Sequence, residues 1–197
     1  MKTKWIVLIV VVLLVIIGYS TFKGSYNGMV LREEGISGAW SQVENQYQRR
    51  SDLIPNLVNT VKGYADFEQE TLTGVIEARS KATSVSIDPG NLSPDAIAKF
   101  EQAQQGVSSA LSRLLVTVER YPDLKASTQF SQLQVQLEGT ENRIAVERRT
   151  FNTTVQGYNT FIRTFPKNLI AGMFGFEKKG YFEATAGSDV APEVTFD

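Results

Sequence analysis

The sequence predicts an all-α protein, an antiparallel up-and-down four-helix bundle that follows one N-terminal transmembrane helix. Three features carry that expectation. The run from Trp5 to Phe22 is apolar and free of charge. Across most of the remaining chain, apolar positions recur in alternating steps of three and four, the seam of left-handed helical packing seen in coiled coils. Prolines, glycines and capping residues then divide that pattern into lengths suited to helices lying side by side.

The anchor comes first. WIVLIVVVLLVIIGYSTF, at 1.5 Å per residue, covers roughly 27 Å, close to the hydrocarbon thickness of a bilayer. Trp5 at one edge and Tyr19 with Phe22 at the other suit an aromatic belt. A cleaved signal peptide is the competing reading, with Lys2 and Lys4 as its basic start and Gly18-Tyr19-Ser20 as the cut. The length without charge, and a site that is not A-x-A, favour a retained helix. Lys2 and Lys4 precede it, whereas Lys23 and Arg32 follow beside Glu33 and Glu34. That weak bias places the N-terminus inside and the bundle outside. The domains expected are therefore an anchor over 1–23, a bundle over 24–182 and an acidic tail over 183–197.

Gly24 to Leu31 contains turn formers but ends apolar, so the anchor either breaks there or continues as a bent helix. From there the seam reads Ile36, Trp40, Val43, Tyr47, Arg50, Ile54, Leu57, Val61 and Tyr64, with an arginine in one apolar slot. Pro55 interrupts it. Proline lacks a backbone donor and disfavours helix in the residue before it, while Ser51 or Asp52 would cap a new helix with Pro55 in its first turn. The unbroken seam phase argues the other way. Length decides for a reversal, giving helices over about Gly28 to Arg50, Pro55 to Lys81, Pro94 to Arg120 and Thr128 to Thr164.

Ala82 to Ser93 is the clearest loop, with Asp88-Pro89-Gly90 as a turn and Ser93-Pro94 as a cap followed by proline at the first helical position. The third helix shows Ile97, Phe100, Gln104, Val107, Leu111, Leu114, Val118 and Tyr121. Pro122-Asp123 ends it, and Ser127 caps the last helix, whose seam runs from Phe130 through Leu133, Leu137, Thr140, Ile144, Arg148, Phe151, Val155, Tyr158 and Ile162 to Phe165. Pro166 stops that pattern. Asn168 to Phe176 is then apolar with glycines, and Glu183 to Asp197 holds four acids and no base, a composition that reads as disordered.

Much chemistry is excluded by composition. The chain has no cysteine and no histidine, which removes thiolate and imidazole ligands, Ser-His and Cys-His nucleophiles and the Glu-x-x-His pairs of a dinuclear site. A net charge of −1 lacks the basic footprint of a nucleic-acid binder. There is no phosphate-binding glycine loop and no nucleophile elbow. No catalytic, metal or cofactor-binding residue, no cofactor and no small-molecule substrate is expected.

Two surfaces remain. Arg49, Arg50, Asp52 and Pro55 would share a distal end with Glu119, Arg120, Asp123 and Lys125. Such charges cap helices and pair across turns, but this many also suits a docking surface for a partner. The second is the apolar segment carrying Leu169, Ile170, Met173, Phe174 and Phe176, which either packs as core or touches lipid beside the anchor. The run Glu138 to Arg149 reads mostly as a solvated face. Arg148 in its seam needs a buried partner, for which Glu44 and Glu77 are available.

The anchor, Tyr26-Asn27, Ala39-Trp40-Ser41, Arg49-Arg50 with DLIPNL over 52–57, VKGYA over 61–65, LSRLLVTVERYPDLKA over 111–126, LEGTENRIAV over 137–146 and FPKNLIAGMFGF over 165–176 together resemble the LemA family of bacteria. The resemblance runs from the anchor to about Phe182, with the acidic tail outside it. It implies a single-pass protein of the bacterial cytoplasmic (inner) membrane carrying a helical bundle, and brings no catalytic residues. The function expected is a non-enzymatic scaffold or regulator that binds another envelope protein. The alternative is a self-associating, homo-oligomeric structural or membrane-remodelling protein that uses its apolar C-terminal segment on lipid.

Overall fold

Short helices are marginal on their own, so a helix persists in a protein where it can bury an apolar face. The computed structural model describes residues 2–63 and 68–183, and every regular element among them is helical. Helix α1 runs Lys2–Lys62, α2 Gln69–Thr83, α3 Pro94–Val118, α4 Pro122–Lys125, α5 Thr128–Arg163 and α6 Lys167–Phe174. The chain forms two compact units. One comprises the chain up to Arg50, Pro89–Asn91 and Leu137–Lys179, and the other Ser51–Asp88, Leu92–Gln136 and the chain from Gly180.

In the first unit α1 and α5 run antiparallel. Their register is fixed by Arg50 with Glu141, Trp40 with Phe151 at 5.6 Å between ring centroids, and Gly28 against Phe161. Met29, Ile36, Trp40, Val43 and Tyr47 are buried along α1, as are Ile144, Phe151, Val155, Tyr158 and Ile162 along α5. Spacings of three and four residues put each set on one helix face. Residues 3–24 of α1 lie outside this core and are exposed throughout, and α1 is long and apolar enough to cross a membrane. Gly24 to Leu31 continues the helix.

The second unit buries Ile54, Leu57, Val58 and Val61 from the last turns of α1, with Leu72 and Val75 of α2, Ile97, Phe100, Val107, Leu111, Leu114 and Val118 of α3, Leu124 of α4 and Phe130 of α5. Helices α2 and α3 are antiparallel, since Arg120 just past α3 meets Glu68 just before α2 at 2.7 Å. The Ala96 N–H donates to the Ser93 hydroxyl at 3.3 Å with Pro94 opening the helix, and the Phe130 N–H donates to Ser127 at 3.5 Å, as the capping residues foretell. Gly180 donates to the Leu92 carbonyl at 2.8 Å. A β-carbon there would stand 2.7 Å from the Pro94 Cα, so only glycine permits the approach.

The reversal expected at Ser51 to Pro55 does not occur. Pro55 lies inside α1, so the expected helix Pro55 to Lys81 is divided between the end of α1 and α2. The physical reason is local. Proline at 55 leaves the carbonyl of Ser51, four residues earlier, without its helical donor. The guanidinium of Arg79 supplies one instead, Nε donating to that oxygen at 2.9 Å. The chain leaves the helix only after Lys62. The disorder expected over 183–197 falls, beyond Glu183, outside the described residues. Glu183 itself donates its N–H to Glu101 at 3.3 Å, and Phe182 is buried beside Phe100.

Candidate functional site

The chain reverses after α5 and comes back to the foot of α1. Helix α6 buries Ile170 and Ala171 and exposes Leu169, Met173 and Phe174, by 59%, 74% and 49%. Phe165, just before it, is 76% exposed. Gly175 ends α6 with a positive φ of 73°, the left-handed cap that glycine adopts without strain. Phe176, half-buried, donates back to the Ala171 carbonyl at 3.0 Å.

Aromatic contacts fasten this segment to the foot of the apolar run. Phe174 packs edge-on against Phe22 and Tyr26 at 5.7 and 5.0 Å, and Phe176 against Tyr26 at 5.7 Å. Asn159, nearly buried on α5, then brackets Lys179, its amide donating to the backbone carbonyl and accepting from the backbone N–H, both at 3.0 Å. The Lys179 ammonium pairs with Glu33 at 2.7 Å and donates to the Gly90 carbonyl at 3.3 Å. Nearby, burial pushes the Tyr158 hydroxyl above its ordinary value of 10.0, with Glu33 and Glu177 adding to the shift. It stays neutral. The five residues proposed from sequence as one apolar patch thus divide, with Leu169, Met173 and Phe174 outward, Phe176 half-covered and Ile170 in the core.

The charged residues divide too. Arg50 is 2% exposed, pairs with Glu141 at 2.8 Å and lies 5.0 Å from the Tyr47 ring, so it is core and not surface. It is the fully buried seam arginine, whereas Arg148 is half-buried. Glu44, offered as a partner for Arg148, has its carboxyl raised above the usual range by burial, tempered by the nearby Trp40 indole. Arg49, Asp52 and Pro55 are exposed along α1, within the helix and not at a turn. Glu119 and Lys125 pair across the turn into α4, Arg120 is held by Glu68, and Asp123 is exposed.

A further feature had no sequence signal. An open groove of about 1300 Å³ lies between α2 and α3, its lining including Gly74, Ala103 and Gly106 and the charged Glu70, Glu77, Lys81, Lys99 and Arg113. The charges come from both helices. Among the described residues no three acidic side chains are placed to hold a metal ion.

The family model described as the LemA family matches residues 39–196. It omits the anchor and takes in all but the last residue of the acidic tail that the sequence resemblance had left outside. The chain is 26% identical to Protein LemA of Metamycoplasma hominis, over 92% of this chain and 80% of that one. It is 25% identical to Magnetosome protein MamQ 2 of Paramagnetospirillum magneticum, covering 95% and 75% of the two chains. Magnetosome protein MamQ of Magnetospirillum gryphiswaldense is 26% identical, over 89% and 72%. With the family model covering well over half of its length, this chain belongs to the LemA family.

Proposed function

We propose that this protein is a non-enzymatic scaffold of the bacterial cell envelope, anchored in the inner membrane by the first part of α1 and resting on the lipid surface through α6. The observation that carries the reading is the outward Leu169, Met173 and Phe174 face, joined by Phe22 and Tyr26 to the end of the apolar run. A short helix with this apolar exposure costs free energy in water and gains it at an interface. The antiparallel bundle expected from sequence remains part of the reading, with its first reversal after Lys62. Regulation or support of another envelope protein is the role such an anchored body suits, and Arg49, Asp52 and Asp123 are charges it exposes to a partner.

The native chain has no cysteine, so single-cysteine labelling is clean. In the full chain reconstituted in vesicles, an environment-sensitive dye at Met173→Cys is expected to emit as from lipid and be quenched by brominated acyl chains. The same dye at Glu138→Cys is expected to report water. Equal, water-like emission at both positions would remove α6 from the membrane and leave only the anchor there.

A further inference from the structure

Phe161 reaches from α5 onto α1 at Gly28, where a β-carbon would stand 2.8 Å from the tip of the ring. The glycine makes room for it. Two cations meet on that ring, with the Arg32 guanidinium carbon 3.8 Å and the Lys167 ammonium 4.1 Å from its centroid. The two charges therefore stand within about 8 Å of each other. That is no more than one screening length at physiological salt, so they repel. Among the described residues no carboxylate pairs with either, and Glu33, next along α1, is held by Lys179. A ring face attracts cations only weakly at an exposed site and does not cancel this repulsion. An anion within reach of both would.

The position of the pair says which anion. Arg32 folds back to donate to the Gly28 carbonyl at 3.1 Å, so its charge sits at the level of Gly28. That level is six residues past Phe22, roughly 9 Å along the helix from the end of the apolar run. The polar layer of a bilayer adds roughly 5–8 Å beyond the hydrocarbon on each side, so the pair stands at the outer edge of the headgroups. Lys167 opens α6, whose exposed apolar face is the one assigned to lipid. Resting on that membrane reading, we infer that Arg32 and Lys167, gathered on Phe161, bind the phosphate of an anionic lipid headgroup. The guanidinium offers paired donors to two phosphate oxygens and the ammonium a point charge.

The test uses the full chain in nanodiscs of phosphatidylcholine with a minor fraction of phosphatidylglycerol, after alkaline carbonate extraction has shown whether the chain is inserted. Probe lipids of each kind, photoreactive in the headgroup, are crosslinked and the labelled peptides mapped. The phosphatidylglycerol probe is expected to label the peptides around Gly28 and Lys167 roughly tenfold more than the phosphatidylcholine probe. Arg32→Gln with Lys167→Gln should abolish the preference, Arg32→Lys with Lys167→Arg should keep it, and inorganic phosphate should not compete. Equal labelling by both probes in the inserted wild type would overturn the site while leaving the anchor. Competition by inorganic phosphate would overturn the lipid assignment in favour of the free ion. A chain that does not insert would overturn the membrane reading and the headgroup site together.

Discussion

Glu44 and Arg50 sit six residues apart on α1 and face opposite problems. Arg50 takes an apolar slot of the seam and is fully buried, which is tolerable because Glu141 accepts from it at 2.8 Å and remains 43% exposed to water. Its place in the seam was legible in the sequence. Its partner was not, because 91 residues separate the two. Among the described residues no cation pairs with Glu44, and burial raises its pKa above 4.5, so the charged form is disfavoured in the folded state. A raised carboxylate costs stability above its folded pKa and nothing below its unfolded one. Glu44→Gln, which keeps the shape of the side chain without its charge, is therefore expected to raise the melting temperature slightly at pH 7. The gain should shrink as pH falls through the raised pKa and vanish below about 4.5. Thermal melts of both proteins across that range check it, and a gain that grew on acidification would show that Glu44 is stabilising as a charge.

The element that misled the sequence reading is α1, and the reason is specific. Proline, a serine or aspartate cap and a charge run are the local signature of a helix start. The unbroken seam phase did contradict it. Ile54, Leu57 and Val61 are buried in step with Trp40, Val43 and Tyr47. What allows the phase to win is Arg79, 28 residues away, donating to the carbonyl that Pro55 leaves open. This compensation predicts a coupled pair. Arg79→Met should cost about 2 kcal/mol, since a buried acceptor loses a charged donor. Pro55→Ala restores the backbone N–H to Ser51 and makes the Arg79 bond less needed. In the Pro55→Ala background, Arg79→Met should then cost about 1 kcal/mol less. Urea unfolding of the four proteins closes the cycle. Strictly additive costs would mean that Arg79 acts through packing alone.

At the scale of the whole molecule, the sequence was informative where one periodicity runs without interruption and silent where two distant segments meet. The seams of α3 and α5 are the buried faces observed, apart from Gln104, Tyr121, Leu133 and Arg148, which are half-buried, and Phe165, which is exposed. The fate of 165–176 was open because an apolar run with glycines suits core and interface alike. Only the return of the chain to Phe22 and Tyr26 shows which side chains face out. That division supports a prediction about the molecule without its anchor. Residues 3–24 contribute nothing to the buried core, so a chain beginning at Gly24 loses, among the described ring contacts, the one made by Phe22. It is expected to keep its helicity and melt within a few degrees of the full chain in detergent. It should not behave as an ordinary soluble domain, however, because Phe165, Leu169, Met173 and Phe174 remain exposed together on a surface no longer beside lipid. Reversible binding to vesicles, or association that detergent reverses, should follow, and Leu169→Ser with Met173→Ser should remove it without lowering the melting temperature, since neither side chain is buried. Sedimentation with and without vesicles reads both effects. A truncated chain that stays monomeric and ignores vesicles would mean that α6 is covered by something other than membrane.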